Sequence, residues 1–308
     1  MPNMDGLATL DAILARRPIP VIMVSSLTKL GGNITLDALD RGALDYLAKP
    51  GYGAKTRAVL LDELPRMIRN AAGTDVRRIL EIRRERKQRR AEQPSRRPVD
   101  QKVSATAAFP LVDKCIAIGI STGGPPALSS LFEALQPPMP PIVVVQHMPA
   151  SFTKPLAWRL DSLSSLSIKE AASGDRLLPN HVLIAPGGKH LKVRRFGNHV
   201  AVVIRDGQSV SGHKPSVDVM MSSVAKAFEG DCLGVIMTGM GRDGAAGCAA
   251  IRENGGYVPG QDAASSDVYG MNKVAYVEGN VDAEFSLNKA ATVIAQRVRR
   301  CWLAASNV

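Results

Sequence analysis

The feature that most restricts this chain is a rhythm starting near residue 111. Short apolar runs stop at glycine or polar residues and give way to segments of helical spacing. Cys115–Ile118, Ile142–His147, Val182–Ala185 and Leu233–Met237 are too short for helices and mostly rich in β-branched residues, so they read as buried strands. The stretch after Gly124 and the segments Leu156–Leu163, Val217–Phe228 and 245–254 carry helical periodicity. Such alternation predicts a doubly wound, mostly parallel sheet with helices on both faces. Leu191–Val193 and Val200–Ile204, separated by Phe196-Gly197-Asn198, predict an antiparallel hairpin inserted into that series. Gly256–Val258 reads as a further strand and Leu287–Arg300 as a closing helix.

In open α/β sheets functional groups gather beyond the carboxyl ends of the strands. Three such ends carry reactive side chains: Ser121, His147 and Asp243. Gly119 and Gly123 flank Ser121 at G-x-S-x-G spacing, which allows a sharp turn and keeps bulk away from the hydroxyl. The helix that follows offers free N–H groups and a positive dipole end to a developing anion. A serine hydroxyl is a weak nucleophile until a base takes its proton; histidine suits that at neutral pH, and a carboxylate fixes its tautomer. Singly, each residue has a plainer use. The glycine turn serves equally for phosphate or for structure alone, His147 for a strand-end hydrogen bond, and Asp243 for a turn. Four other histidines (His181, His190, His199 and His213) are rival bases. The order Ser…His…Asp differs from the Ser…Asp/Glu…His of α/β-hydrolases.

Residues 1–72 alternate helix, strand, helix, strand, helix: a helix from Leu7 to Leu14 capped by Asp5, strand Val21–Val24, helix Ile34–Leu39, strand Leu44–Leu47, and a stripe of Leu60, Leu61, Leu64 and Ile68 interrupted by Pro65. Two strands are too few for a stable parallel sheet, so an upstream segment is expected, with Met1 as a start placed too late. Residues 73–110 are the boundary. Thr74–Arg90 extends the preceding helix, and Pro94, Pro98 and 103–108 read as flexible linker. Residues 111–308 form the second domain.

The net charge is +11, of which 77–102 supply +7 through eleven Lys/Arg against four acids. Without aromatic interleaving or a nucleic-acid module beside it, this run predicts no specific nucleic-acid binding. An acidic protein or an anionic membrane surface remains an open partner for it. No apolar run approaches the ~18 residues of a membrane span, and the N-terminus carries no signal peptide. Four scattered cysteines fit buried thiols in a reducing cytoplasm rather than a disulfide or metal framework.

Two resemblances refine this reading. Met1-Pro-Asn-Met-Asp-Gly6, Met23-Val-Ser-Ser26 and Asp45-Tyr-Leu-Ala-Lys-Pro50 resemble the second half of a flavodoxin-like response-regulator receiver domain. This implies Ser25 as the switch hydroxyl, Tyr46 as the switch aromatic and Lys49 as the phosphoryl-pairing lysine. The phosphoacceptor aspartate and the Mg²⁺-binding acidic pair would lie upstream of Met1; Asp5 matches the helix-capping aspartate instead. Residues 115–300 resemble the catalytic domain of the chemotaxis methylesterase (CheB) family, which implies a Rossmann-like sheet. The matching runs are IGISTGG (118–124), VVQHMP (144–149), LIAPGGKH (183–190), HKPSVDV (213–219) and VIMTGMGRDGAAG (235–247). The resemblance implies Ser121 as nucleophile, His147 as general base and acid, Asp243 as orienting carboxylate, oxyanion stabilisation by the Met240 N–H, and Thr122 lining the site. It implies hydrolysis of glutamate γ-methyl esters, and deamidation of glutamines, on methyl-accepting chemotaxis receptors in the cytoplasm. No metal or cofactor is expected for that chemistry. A chemotaxis histidine kinase is an expected partner only with a complete receiver, whose unphosphorylated form covers the site in the family. Structural use is the expectation for 213–219. A non-catalytic scaffold would have no need of three triad-type residues. A nucleotide-binding domain would want an acidic residue where His147 stands.

Overall fold

A computed structural model of the chain describes residues 4–25, 29–49, 64–65, 67–69, 71–92 and 111–303. It divides into two compact units, Met1–Arg97 and Pro98–Val308. Residues 93–110 of the expected boundary segment 73–110, together with Met1–Asn3, Ser26, Pro50, Leu60 and Leu61, lie outside the described residues.

In the first unit α1 (Gly6–Arg16) starts where the Asp5 carboxylate accepts the Ala8 N–H at 2.8 Å, the cap the sequence predicts. Strand β1 (Ile22–Ser25) runs parallel to β2 (Asp45–Ala48), and α2 (Lys29–Arg41) connects them. Leu10 and Leu14 of α1 and Leu36 and Leu39 of α2 are buried, as helical spacing requires. Ile68 is 53% exposed. One expectation fails here. The arginine-rich segment does not extend the preceding helix. The chain breaks at Gly73–Asp75, and α3 (Val76–Glu92) starts anew with the Asp75 carboxylate accepting the Arg78 N–H. Gly73 and a fresh capping aspartate are sufficient physical cause. Val76 and Ile79 face inward, and Arg77, Arg78 and Arg84 face solvent. Arg83 donates to the Leu39 carbonyl at the C-terminal turn of α2, a favourable place for a cation.

In the second unit the main sheet has seven strands in the order β11-β10-β9-β3-β4-β6-β5, every neighbouring pair parallel. They are β3 (Cys115–Ile120), β4 (Ile142–Gln146), β5 (Ser167–Glu170), β6 (His181–Ile184), β9 (Cys232–Ile236), β10 (Pro259–Gln261) and β11 (Ala283–Phe285). Strands β3, β4 and β9 are buried along their whole length, which explains their unbroken apolar sequence. The helices are α4 (Gly124–Ala134), α5 (Ala150–Leu163), α6 (Val217–Phe228), α7 (Ala245–Glu253), α8 (Met271–Val277) and α9 (Ala290–Val298). Alternate strand residues Cys115, Ala117, Val143 and Val145 share one core with Met220, Met221, Val224 and Phe228 of α6. On another side of the unit α4 packs against α5 and α9.

The predicted hairpin is β7 (His190–Phe196) with β8 (His199–Arg205), closed at Gly197-Asn198. It forms its own small sheet against α6 rather than adding to the main one. The strand expected at 256–258 lies slightly later. Tyr257 makes only an isolated bridge to Leu233, and the pairing begins at Pro259. The sheet reverses its winding between β3 and β9. From β3 the chain moves outward through β4, then returns to lay β9 on the other side. A crevice at such a reversal is where open α/β sheets bind ligands.

Candidate active site

Ser121 follows β3 at that reversal. Its N–H donates to the Thr238 carbonyl at 2.9 Å, and its carbonyl accepts the Gly124 N–H at 2.8 Å. Gly123 caps α4 with φ +78°, a left-handed conformation that turns the chain from strand to helix. Gly119 has a different task. A Cβ there would lie 2.3 Å from Val217 Cγ1, so its absence lets the first turn of α6 close against β3.

His147 follows β4. Ile120 pairs with Gln146 in the register of β3 and β4, so Ser121 and His147 are the next positions on adjacent strands. The His147 N–H donates to the Ile120 carbonyl at 3.1 Å. Its Nε2 meets Asp243 Oδ2 at 2.7 Å, and both side chains are buried, at 7% and 0% exposure. The other ring nitrogen, Nδ1, is buried and has no hydrogen-bond partner among the described residues. Ser121, 8% exposed, makes no hydrogen bond from its hydroxyl to His147 among them either. The sequence-predicted residues therefore assemble as one closed pair and an adjacent serine.

Asp243 accepts four hydrogen bonds. Oδ2 takes the Val217 N–H at 2.8 Å besides His147, while Oδ1 takes the Ser216 hydroxyl at 2.8 Å and the Asp218 N–H at 3.0 Å. Burial alone would raise its pKa. The His147 hydrogen bond and charge, with the Asp218 and Val217 N–H groups, outweigh that and bring it to about 2. The carboxylate is thus ionised throughout the physiological range and also caps the N-terminus of α6.

Asp218 returns the favour. Standing in the first turn of α6, its Oδ1 accepts the Gly244 and Gly247 N–H groups at 2.8 Å, at the start of α7. Its pKa is raised, by burial first and by the charge of Asp243 as well. Two helices are therefore capped reciprocally, α6 by Asp243 from the turn before α7 and α7 by Asp218 from the first turn of α6.

The 213–219 run, expected to be structural, forms much of this support. Ser216 caps α6 and donates to Asp243, and the His213 ring stacks on His147 with centroids 3.7 Å apart and planes 3° from parallel. The other rival bases have different work. His190 bonds the Gln208 carbonyl through Nε2 and accepts the Ser216 N–H through Nδ1, His181 bonds the Pro179 carbonyl, and His199 closes the hairpin. Met240 is half-buried at the tip of the turn after β9, which is pinned by Gly239 bonds to Val268 and Met271. Thr122 is half-buried beside the serine, and its carbonyl accepts the Thr238 hydroxyl.

Sequence reasoning missed Ser216 as a partner of Asp243 and missed Gln146 altogether. Ser216 was findable, since Ser-x-Asp opening an apolar-periodic run is an N-cap signature. In the first unit Ser25 ends β1 opposite Ala48, and the exposed Lys49 follows at the same edge. Tyr46 is buried within β2, and burial raises its pKa. No group of three or more His, Cys, Asp or Glu side chains that could hold a metal ion occurs among the described residues.

A family model described as CheB methylesterase matches residues 116–294. The chain is 44% identical over 292 residues to a "protein-glutamate methylesterase/protein-glutamine glutaminase" of Syntrophotalea carbinolica, covering 94% of this chain and 80% of that one. It is 40% identical over 303 residues to the "protein-glutamate methylesterase/protein-glutamine glutaminase 2" of Pseudomonas aeruginosa, covering 97% and 82%. Among solved structures, the Thermotoga maritima CheB methylesterase catalytic domain superposes with a TM-score of 0.58 at 37% identity, covering 59% of this chain and 97% of that one.

Proposed function

This chain belongs to the CheB methylesterase family, and from that premise we propose that it hydrolyses glutamate γ-methyl esters, and deamidates glutamines, on methyl-accepting chemotaxis receptors. The observation that carries the reading is the buried His147–Asp243 pair at 2.7 Å, one step past the register that sets Ser121 beside His147.

The roles follow from which atoms are already engaged. Asp243 occupies Nε2 of His147, so Nδ1 is the nitrogen left to act as base. It takes the Ser121 proton as Oγ attacks the ester carbonyl, and Asp243 stabilises the imidazolium that results. The Met240 N–H and the amino end of α4 face the developing oxyanion, and Thr122 lines the approach. The imidazolium then protonates the departing methoxide, releasing methanol, or the departing amide nitrogen, releasing ammonia. Water attacks the acyl-serine with Nδ1 again as base, leaving a glutamate carboxylate and free Ser121. No hydrogen bond joins Ser121 to His147 at rest, so the two side chains close that gap when substrate binds. In the first unit we assign Ser25, Tyr46 and Lys49 to a receiver-type switch, with a chemotaxis histidine kinase as the partner of a complete receiver. No helix among the described residues is long and apolar enough to cross a membrane. We place the enzyme in the cytoplasm, where the receptor helices carrying its substrate lie.

Methanol release from methylated receptor tests the reading. Wild-type protein should release it, and Ser121→Ala should release none above background while keeping its thermal unfolding midpoint. Substantial turnover by the folded variant would remove Ser121 as nucleophile.

A further inference from the structure

Strands β3 and β4 are laced by backbone hydrogen bonds as far as the His147 N–H to Ile120 carbonyl contact, where the chains turn away into α4 and α5. One more link spans them beyond that point, and it comes from a side chain. Gln146, 2% exposed, donates from Nε2 to the Ser121 carbonyl at 2.9 Å and to the His147 carbonyl at 3.1 Å. Both nearby atoms are acceptors, which fixes the amide with its NH₂ toward them. The oxygen Oε1 is buried without a hydrogen-bond partner among the described residues. It rests against Gly124, where an added Cβ would come within 1.8 Å of it.

A buried amide is held in place by the bonds its donor end makes. Here the donor end joins the main chains of the residues read as nucleophile and base.

We propose that Gln146 is a positioning residue for catalysis, its amide clamping the carbonyls of Ser121 and His147 so that the two peptide planes, and hence the Oγ and Nδ1 they project, keep a reactive relation. Gly124 is the second half of the device, because only a residue without Cβ leaves room for the amide in that pose. The inference rests on the assignment of Ser121 and His147 given above. It adds a residue that touches neither substrate nor the reacting atoms.

Three variants and a double variant test it, through steady-state methanol release and through the rate at which a fluorophosphonate labels Ser121. Gln146→Met keeps the volume and deletes the donors. It should lower kcat and the labelling rate by about 10- to 100-fold, the scale of a small misplacement, with KM little changed. Gln146→Glu keeps the shape but sets carboxylate oxygens against two carbonyls, and should be at least as slow. Gly124→Ala should resemble Gln146→Met, because the methyl expels the amide. Combined as Gly124→Ala/Gln146→Met, the losses should not multiply, since the second change removes a clamp the first has already opened. Folding is followed by thermal unfolding, with kinetics read well below each midpoint. A purely structural glutamine would lower the midpoint and leave labelling at the wild-type rate; that result in either folded glutamine variant overturns the clamp. Multiplying losses in the double variant overturn the pairing with Gly124 and the clamp with it. Ser121→Ala run alongside separates the two readings. If it still turns over, the nucleophile assignment fails; if it is inert while Gln146→Met labels normally, only the clamp fails.

Discussion

Ser121 and Asp243 both stand in turns that join a central strand to a helix, Ser121 directly after β3 and Asp243 further along the turn that follows β9, and in each turn a glycine in the left-handed region caps the helix (Gly123 at φ +78°, Gly244 at φ +104°). They are held by opposite means. Ser121 is fixed through its main chain, by Thr238, Gly124 and Gln146, while its hydroxyl makes no hydrogen bond to His147. Asp243 is fixed through its side chain, both oxygens filled by His147, Ser216, Val217 and Asp218. The difference matches the work proposed for each. A nucleophile must swing toward a carbon and later release it, so rigidity belongs in its backbone. An orienting carboxylate must not move, so its lone pairs are saturated in a buried site.

That contrast can be broken from either side. The largest effect is expected for Ser121→Ala, which should remove methanol release while sparing the fold. Asp243→Asn should cut kcat by about 10³- to 10⁴-fold by presenting the wrong hydrogen-bonding atom to His147. It should also lower the unfolding midpoint, since an amide N–H₂ would then face the N–H groups of α6; an unchanged midpoint would show that the caps are dispensable. Gly119→Ala attacks the same carboxylate indirectly, by pushing the Val217 side chain away from β3. A loss of roughly 1–3 kcal/mol in chemical denaturation is expected, with a lower kcat as the Val217 N–H leaves Asp243. The acid limb of stability reads Asp243 directly. Its folded pKa of about 2 lies below the ordinary 3.8, so its contribution is complete above that value and fades as pH falls toward 2. The size should be about 2 kcal/mol between those limits, and Asp243→Asn should flatten this part of the profile. Ser216→Ala should be mildest, about 1 kcal/mol for a lost helix cap, with a modest fall in kcat from the freed Oδ1. If Ser216→Ala left both unchanged, the saturation of Asp243 would be incidental.

Much of this was written locally in the chain. Strands β3, β4 and β9 announce themselves because burial on both faces leaves no polar position to blur the pattern. The Asp5 cap, the hairpin at Gly197-Asn198 and the bounds of α6 are likewise local. Strand β11 was not legible, and β10 was read a few residues early, at 256–258. Pro259-Gly260-Gln261 has no strand propensity, and parallel neighbours on both sides hold it extended. The break before α3 escaped periodicity because Gly73–Asp75 spans less than one turn. Ile68 sits on a helical spacing yet is exposed, since spacing shows which residues share a face but not whether anything covers that face. Gln146 was unreadable for a related reason: a polar residue ending a strand beside a histidine looks like a solvated edge.

By itself the sequence determined the parallel sheet, the strand ends at which chemistry can occur, and the Ser, His and Asp that stand there, because strand periodicity and glycine turns are properties of neighbouring residues. Only the tertiary structure decided which ring nitrogen of His147 is engaged, that Asp243 and Asp218 cap α6 and α7 around the pair, and that Gln146 links Ser121 to His147. Those are contacts between segments from 25 to 96 residues apart. The Ser121–Gln146 link needs β3 and β4 side by side, and the His147–Asp243 contact needs β9 laid on the other side of β3 after the winding reverses; no local pattern encodes either placement.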